Sequence, residues 1–545
     1  MAERDALKQV EEAIDSRQSF LVEAGAGSGK TFALVHGLRH ILRTQRDELE
    51  RRGRRVACIT YTNVAKGEIS ERIADDPLVF VGTIHEFMWS LIENYQEELK
   101  AEVVVLNGQL KKPAEGLEQA LQSVRIVYSD RGRKLEKGRI SHDEVIAFAY
   151  NLFVEYPKIS RIAADKYPFL FIDEYQDTAP ETVELIVEHF CGSGVSKSVV
   201  GFFGDSMQKI YQRGVGAVDH EKLRQITKHE NFRCSRSVIG VLNQMRPELQ
   251  QVPAGENAAG EVHFFSGAGT PEGVRRLEVA RQILAGLGWN VDEAKTLMLT
   301  HRGIAGTLEY ERLFALYAKR SKWGRDDLLE GNDPHAQFFQ EIEKLCQAYE
   351  SKDYGEVIRL VGRDGTRIVR HSEKAKIAAF MQELTNLRQS SDIGTVLDFV
   401  VENQLLGRPR RLRDVEERIA AEELDGTDEV LRDFVTALRA IPYSEVMAFS
   451  RFRDERTPFS TQHGVKGTEY DDVIVVVDDG AWNQYDMGEM MAGTERLPQR
   501  RERSRNLFYV CCSRARRGLA VVFLSEPPAG AVETARRWFG PENVR

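Results

Sequence analysis

The chain has few cysteines and no long apolar segment. Its 545 residues include six cysteines, which are scattered without the spacing of a metal site. This pattern favours reduced, buried thiols in a cytoplasmic protein over a disulfide framework. No apolar run approaches the length that spans a bilayer, and the charged, helix-like N-terminus does not resemble a signal peptide. We therefore expect no membrane association.

The chain also lacks an overall excess of positive charge, since its net charge is −9. This balance weakly disfavours binding of nucleic acid by charge alone. It leaves room for a locally positive groove, because affinity for phosphates depends on the local field. The apolar content of 42% and the charged content of 29% are ordinary for a soluble globular protein. A chain of this length is expected to form several domains.

A glycine-rich loop joins an apolar run to an amphipathic helix in the sequence FLVEAGAGSGKT at residues 20–31. Glycines let successive backbone N–H groups face a phosphate, and the helix N-terminus adds favourable partial charge. Lys30 would reach the β- and γ-phosphates of a nucleotide, and the Thr31 hydroxyl would bind Mg²⁺. A turn without a ligand is the alternative, which the flanking strand and helix disfavour. The loop residues expected around the phosphates are Ala24, Gly25, Ala26, Gly27, Ser28 and Gly29.

Two adjacent carboxylates follow another apolar run, in FLFIDEYQD at residues 169–177. A carboxylate at a strand end can hold Mg²⁺ through water, and the next one can accept a proton from the water that attacks a phosphate. Asp173 is therefore the candidate metal ligand and Glu174 the candidate general base. Further on, VVGFFGDSMQKIY at residues 199–211 places Gln208 beyond a strand, where a neutral amide can sense a phosphate and orient water.

Strand-like apolar runs alternate with helical patterns along the chain, which predicts an α/β protein with parallel sheets. The predicted strands lie at residues 20–23, 56–60, 79–81, 169–172, 199–203, 262–265, 297–300, 473–477 and 519–523. Two Glu-, Lys-, Arg- and Leu-rich stretches with helical spacing interrupt this alternation. We expect a first lobe at 1–91 and 165–225 with a helical insertion at 92–164. A second lobe is expected at 226–324 and 441–545 with a helical insertion at 325–440.

Taken in order, the motifs resemble those of the superfamily 1 helicases of the UvrD/Rep/PcrA group. The resemblance covers the chain from near residue 5 to near residue 525. The first-lobe motifs are AGAGSGKT, ITYTNVAKGEISERI, VGTIHEFM, DEYQD and GDSMQKIY. The second-lobe motifs are NFR at 231–233, QHGVKGTEYDDV at 462–473 and YVCCSRAR at 509–516. The resemblance implies two RecA-like P-loop lobes with ATP and Mg²⁺ between them.

The resemblance also implies roles for individual residues. Arg233 and Arg514 would reach the γ-phosphate from the second lobe, Phe232 would stack on adenine, and Glu469 would lie near the ribose or the DNA. Gln9 is the candidate adenine-reading glutamine. Single-stranded DNA would cross both lobes. Its expected contacts are Tyr61, Thr62, Asn63, Thr83, His85, Phe87, Tyr211, His463 and Lys466.

Several of these residues have an alternative, purely structural role. Tyr61 is equally compatible with strand packing. His85 and His463 taken alone would be structural histidines, whereas their places in the motifs favour DNA contact or coupling between the lobes. The motif around Tyr211 continues Gln-Arg-Gly-Val, one residue shorter than usual in this group and without its second aromatic residue. This departure weakens the expectation of strong duplex unwinding.

The resemblance implies an ATP hydrolase that translocates 3′ to 5′ on single-stranded or tailed DNA. The sequence HGVKGTEYDDV and the short helical insertions are similar to those of UvrD-like subunits encoded beside OLD/TOPRIM-type nucleases, including those of Gabija anti-phage systems. We therefore expect a nuclease partner in defence or DNA repair. The alternatives are a regulatory subunit that senses ATP and DNA with little unwinding, and a general repair helicase.

Overall fold

The computed structural model describes residues 2–60, 63–129, 132–192, 197–210, 213–267, 269–362, 371–421 and 425–545. The strands are β1 (Phe20–Ala24), β2 (Val56–Thr60), β3 (Val79–Thr83), β4 (Val127–Tyr128), β5 (Arg139–Ile140), β6 (Phe169–Asp173), β7 (Val199–Gly204), β8 (Arg224–Lys228), β9 (Glu230–Asn231), β10 (Val252–Pro253), β11 (Glu261–Phe265), β12 (Lys295–Met298), β13 (Phe459–Thr461), β14 (Tyr470–Val477) and β15 (Ala515–Phe523). The helices up to the second sheet are α1 (Ala2–Asp15), α2 (Lys30–Arg52), α3 (Asn63–Arg72), α4 (Ile84–Ile92), α5 (Gln96–Gln109), α6 (Leu117–Leu121), α7 (His142–Glu155), α8 (Pro157–Lys166), α9 (Pro180–His189) and α10 (Arg236–Met245). The remaining helices are α11 (Val274–Gly286), α12 (His301–Thr307), α13 (Glu311–Arg320), α14 (Gly324–Leu329), α15 (Pro334–Glu350), α16 (Tyr354–Val361), α17 (His371–Ser390), α18 (Ile393–Glu402), α19 (Arg410–Ile419), α20 (Gly426–Arg439), α21 (Tyr443–Arg453), α22 (Met487–Ala492), α23 (Pro498–Cys512) and α24 (Ala529–Phe539).

The first sheet has six parallel strands in the order β3-β2-β6-β7-β1-β8. Its central strands are buried along their whole length, because helices cover both faces of a parallel sheet. Phe20, Phe171 and Phe203 from three neighbouring strands pack their rings edge to face or tilted at 5.2–5.8 Å between centroids. The strands β1, β6 and β7 therefore end side by side, which places the loops that follow them at one edge of the sheet.

The second sheet has five parallel strands in the order β11-β15-β14-β12-β13. Valine and other apolar residues fill β14 and β15, and nearly all of them are buried. Helix α10 and the C-terminal helices α23 and α24 share one apolar core with the strands β14 and β15. Each large sheet, together with the helices packed on it, forms a unit that is called a lobe.

Helices are inserted into both lobes. The helices α5 to α8 lie between β3 and β6, together with the small β4-β5 pair. The helices α13 to α21 lie between β12 and β13 and share an apolar core with one face of the second sheet. Arg388 of α17 is buried there and donates to Glu343 and Glu350 of α15, which fixes the two helices against each other. The predicted limits of the lobes and insertions stay a prediction.

The predicted α/β fold with parallel sheets is confirmed. Two strands of the large sheets were missed, β8 and β13, because both lie at sheet edges and carry polar residues without a clear apolar run. The two-residue strands β4, β5, β9 and β10 were not predicted either. The predicted strand at 297–300 is wrong at its end, since β12 stops at Met298 and the side chain of Thr300 instead caps α12 by accepting from the Gly303 N–H. All six cysteines are buried. No helix among the described residues is long and apolar enough to cross a membrane.

The aromatic contact in the first sheet leads to a stability prediction. Phe171→Ala should lower the free energy of unfolding of the first lobe by about 3–5 kcal/mol, because it leaves a cavity between three strands. Tyr354→Ala on α16 is the matched control, since this ring is 56% exposed. Thermal and urea unfolding of both variants would check the prediction. Equal losses in the two variants would contradict it.

Candidate nucleotide site between the lobes

The glycine-rich loop has the backbone conformation that phosphate binding requires. Gly27 and Gly29 adopt positive φ angles of 71° and 78°, and Gly29 caps the N-terminus of α2. A side chain at either position would be strained, so glycine is needed there. Ala24 is fully buried at the end of β1, which shows that its methyl group fits where the usual glycine is absent. The hydroxyl oxygen of Ser28 is buried without a hydrogen-bond partner among the described residues.

Residues of the second lobe, and of the segment that leads into it, contact this loop. The Ala26 carbonyl accepts from the side-chain amides of Asn231 and Gln251 at 3.0 Å each. The Ala26 N–H donates to the hydroxyl of Tyr509 on α23 at 3.2 Å. A Cβ atom added at Gly25 would lie 2.5 Å from the Gln251 amide nitrogen. The loop is therefore packed between both lobes before any ligand binds.

The two adjacent carboxylates lie at the end of β6, opposite this loop. Glu174 has a left-handed backbone with φ of 50°, which is uncommon for a residue with a side chain and occurs preferentially at functional sites. Its carboxylate lies 3.2 Å from the Lys30 ammonium nitrogen and accepts from the Gln176 side chain. Burial and the charge of Glu174 raise the pKa of Asp173. Burial alone would raise the pKa of Glu174, but Lys30 and Lys466 lower it overall.

Lys30 remains a cation despite its burial. Burial alone would lower the pKa of its ammonium group, but the carboxylates of Glu174, Asp205 and Asp173 outweigh burial and raise this pKa. A buried cation at the N-terminus of a helix favours an anionic ligand. Binding of a nucleotide would give Lys30 phosphate oxygens as partners in addition to Glu174.

Gln208 joins the two lobes. Its amide nitrogen donates to Asp205 at 2.7 Å, and its side-chain oxygen accepts from Arg514 of the second lobe at 3.2 Å. Lys466, also from the second lobe, donates to the Gln208 carbonyl at 2.8 Å and to Asp177. The sequence predicted Lys466 as a DNA contact, whereas in this structure it pairs with the acidic motif. Gln208 and Arg514, both predicted to sense the γ-phosphate, thus contact each other directly.

A buried guanidinium forms a second link between the lobes. Arg246 follows α10 and is 3% exposed. It donates to Asp205 at 2.6 Å and to Glu23 on β1. Glu23 in turn accepts from the hydroxyl of Tyr175, so that Arg246 is connected to the loop strand, to the acidic motif and to the segment that carries Gln208. Burial alone would lower the pKa of Arg246, but the carboxylate of Asp205 and other acidic neighbours raise it well above its usual range.

A cavity of about 420 Å³ adjoins the glycine-rich loop. This volume lies within the range of small-ligand pockets, and an aromatic wall beside polar groups suits a base and a sugar. Phe232 forms part of the wall, as predicted for adenine stacking, and Arg233 donates to Glu469 at 2.5 Å inside it. The described residues lining the cavity are Gly27, Gly29, Phe32, Phe232, Arg233, Glu469 and Arg516. Gln9 lies half-buried on α1 and is not among them.

The residues present fit a nucleotide with Mg²⁺. The loop offers glycines at positive φ, the buried Lys30 cation and an unpartnered Ser28 hydroxyl. Thr31 on the first turn of α2 and Asp173 at the end of β6 would hold Mg²⁺ together with phosphate oxygens. The metal would neutralise charge on the β- and γ-phosphates.

The residues predicted to contact DNA divide into several groups. Tyr61, Thr62 and Tyr211 lie outside the described residues, and of Asn63 only the backbone at the start of α3 is described. Thr83 caps α4 by accepting from the Glu86 N–H at 3.2 Å. His463 makes a 2.8 Å hydrogen bond with the Tyr485 hydroxyl.

His85 lies against a large open cavity in the first lobe. Its ring packs on His142 at 4.5 Å between centroids, and burial together with the neighbouring His142 lowers its pKa to about 4. The ring is therefore neutral at physiological pH and would contact DNA as a hydrogen-bonding or stacking group.

The prediction that Phe87 contacts DNA is wrong. Its side chain is fully buried on α4 and packs against Phe80, Tyr167 and Phe190. Apolar spacing on α4 turns this residue toward the core of the inserted helices. A buried ring cannot stack on a base without unfolding the helix.

Sequence reasoning missed several residues of the site. Asn231 stands directly before the aromatic–arginine pair and Arg516 two residues after Arg514, so both lay within recognised motifs. Phe32 follows Thr31 and was assigned only to the helix. Nothing in the local sequence marks Arg246 or Gln251 as part of the site. Asp205, which accepts from Arg246, lies more than 40 residues away in the chain. Ala26, which accepts from Gln251, lies more than 200 residues away.

The first part of the chain matches a known family. Residues 6–123 and 107–214 match the UvrD/REP helicase N-terminal domain. Residues 6–214 therefore resemble the N-terminal domain of UvrD/REP helicases, and the predicted resemblance to that group is confirmed.

Individual proteins similar to this chain differ in how much of it they cover. The Gabija protein GajB of Bacillus cereus strain HuB5-5 is 24% identical over 678 aligned positions, which cover 96% of this chain and 96% of the relative. The ATP-dependent DNA helicase PcrA of Staphylococcus aureus strain Mu50 is 24% identical over 304 positions, which cover 45% of this chain and 41% of the relative. The PcrA helicase of Staphylococcus epidermidis is 23% identical over 279 positions, which cover 41% of this chain and 37% of the relative.

Removal of the buried Arg246 guanidinium should weaken the contact between the lobes. Arg246→Met would leave Asp205 buried without its cation, which should cost about 3–5 kcal/mol of stability. Arg505→Met is the matched control, because Arg505 pairs with the half-exposed Glu248 at the same face and should cost about 1 kcal/mol or less. Melting temperatures of both variants test this difference. A change no larger than in the control would contradict the prediction.

Proposed function

We propose that the protein is an ATP-dependent translocase or helicase that moves 3′ to 5′ on single-stranded DNA. The observation that carries this proposal is the contact of Gln208 with Arg514, because it joins the two lobes at the predicted γ-phosphate position. Lys30 and Glu174 lie in the same charged network on the first-lobe side. A site shared by two lobes allows phosphate chemistry to change the relation between them.

Arg514 has the properties of a phosphate-binding arginine. It is 1% exposed, and the acceptors found for it among the described residues are neutral: Val510 and Thr468 carbonyls, Gln208 and Ser513. Burial and the charge of Arg233 lower its pKa to about 10, so that it stays protonated at neutral pH. A buried cation without a carboxylate partner gains most from an anion, and an arginine of this kind supplies charge in the transition state of phosphoryl transfer.

The active form would use each residue for one task. Lys30 would bind the β- and γ-phosphates, and Glu174 would accept the proton of the attacking water. Gln208 would orient that water, while Arg233 and Arg514 would neutralise charge on the equatorial oxygens. Loss of the γ-phosphate would remove the anion shared by both lobes, and the loosened contact would allow one lobe to advance along the DNA.

We further propose that the protein acts with a nuclease subunit, in anti-phage defence or DNA repair. Similarity to a Gabija protein along 96% of both chains supports this assignment, whereas the similarity to PcrA covers less than half of each chain. The alternative is a regulatory subunit that senses ATP and DNA with little unwinding. The shortened motif after Tyr211 supports this alternative, since an aromatic residue that would engage bases is absent from it.

Two substitutions test the nucleotide site. Lys30→Ala should abolish ATP hydrolysis, and Arg514→Lys should lower kcat by ~10³–10⁵ with a smaller change in KM. Arg517→Lys, which replaces a half-exposed arginine paired with Asp472, is the matched control. Steady-state ATPase rates with and without oligothymidylate give the measurement. An Arg514→Lys enzyme with unchanged kcat would remove Arg514 from the proposed site.

Strand displacement separates the two candidate functions. The translocase proposal expects ATPase stimulation by single-stranded DNA and release of a strand from a 3′-tailed duplex but not from a 5′-tailed one. A regulatory subunit would be stimulated without strand release, and it would co-purify with a nuclease subunit. Absence of any DNA stimulation would contradict both forms of the proposal.

A further inference from the structure

An aromatic cluster beside the predicted DNA motif of the second lobe lies outside the lining of the candidate nucleotide cavity. Trp482, Tyr485 and His463 pack with ring centroids 5.1–5.8 Å apart. Tyr485 is buried and its hydroxyl fixes the His463 ring through the 2.8 Å hydrogen bond. The Trp482 indole rests on these two rings but is itself 37% exposed. A partly exposed aromatic ring is thus held in place by two others.

The segment that carries Trp482 also borders a cleft of about 640 Å³ between the lobes. Asn483 and Gln484 line it from the second lobe, and Lys209 and Ile210 line it from the first. The Asn506 side chain donates to the Lys209 carbonyl at 3.1 Å, which holds the two walls together. The charged residues in its lining are Lys209, Arg500, Glu502 and Arg503. Arg500 is paired with Glu489 and Glu495. Lys209 and Arg503 therefore stand against Glu502 and give this lining a positive balance.

Lys209 connects this cleft with the cavity of about 1170 Å³ in the first lobe that His85 borders. The larger cavity carries several acidic side chains, among them Asp143, Glu181 and Glu184. A phosphate backbone is therefore favoured at the cationic cleft rather than against those acids. A strand that passes from one lobe to the other would have its phosphates near Lys209 and its bases near Trp482.

We propose that Trp482 is a base-stacking platform for single-stranded DNA and that Lys209 contacts the adjacent phosphate. This inference rests on the proposed translocase function and names the part of the second lobe that holds a base. The motif that follows Gln208 lacks its second aromatic residue. Trp482 directly precedes Asn483 and Gln484, which line the wall of the cleft opposite Lys209. Stacking on a fixed ring tolerates any base sequence, as a translocating enzyme requires.

Binding of oligothymidylate to the full-length protein tests the platform. Trp482→Ala should weaken affinity about 5- to 150-fold, the range found for loss of one base–aromatic stack, and Trp482→Phe should retain most of it. Trp323→Ala is the matched control, because that ring is 63% exposed and lies in the inserted helices at the start of α14. Fluorescence anisotropy gives the affinities, and melting temperatures show that the variants are folded.

The salt dependence of the same binding tests Lys209. Lys209→Ala should reduce the slope of log affinity against log salt by about 0.7, the value for one phosphate of a single strand. Lys322→Ala, an exposed lysine beside Trp323, should leave the slope unchanged.

The outcomes separate the two proposals. If the wild-type protein binds DNA and Trp482→Ala binds it as tightly as Trp323→Ala does, the stacking platform is overturned and the proposed function stands. The same conclusion holds if Trp482→Ala keeps its DNA affinity but loses a protein partner. Wild-type protein that neither binds DNA nor responds to it overturns the proposed function itself.

Discussion

The buried guanidinium of Arg246 is the interaction on which the arrangement of the two lobes depends. It belongs to the second lobe, yet its carboxylate partners, Asp205 and Glu23, belong to the first. A buried ion pair becomes costly when one partner is removed, because the other charge is left without solvent or counterion. The lobes therefore cannot separate at this point unless water enters and solvates all three groups. The positions of the glycine-rich loop and of Gln208 depend on this constraint.

The surrounding site is built from alternating charges. Lys30 pairs with Glu174, Lys466 pairs with Asp177, and both pairs lie beside the Gln208–Arg514 contact. Lys30 and Lys466 are already paired without nucleotide, so a bound phosphate would exchange these pairs for new ones. Arg514, whose acceptors among the described residues are neutral, would gain an anionic partner. A ligand that exchanges one set of pairs for another can couple its own binding to the contact between the lobes, because those pairs cross between them.

Much of the fold and of the candidate nucleotide site could be predicted from the sequence, since both depend on local sequence patterns. Apolar runs identified the central strands, and the glycine-rich loop and the DEYQD segment identified Lys30 and Asp173. Edge strands such as β8 were missed because a half-exposed strand with polar residues has no distinctive local pattern. The assignment of Phe87 to DNA binding was wrong for a related reason. The motif around it was recognised, but a motif does not describe how the inserted helices pack, and that packing buries the Phe87 ring.

Residues whose role depends on distant partners were the hardest to predict. Arg246 stands in an ordinary helix end, and only the fold brings it to Glu23, more than 200 positions earlier in the chain. The proposed role of Trp482 likewise depends on the rings of Tyr485 and His463, which pack against it. By contrast, Asn231 and Arg516 lay within recognised motifs, so assigning a role to every polar residue of those motifs would have included them.

The burial of every thiol has a practical consequence for following the motion of the lobes. A thiol reagent reacts with exposed thiolates, and burial raises the pKa of the native cysteines. Dyes attached to one introduced surface cysteine on each lobe would therefore label those sites in preference to the native ones. Energy transfer between the two dyes could then record opening and closing during single turnovers in a chain that keeps all of its own cysteines, which are Cys58, Cys191, Cys234, Cys346, Cys511 and Cys512.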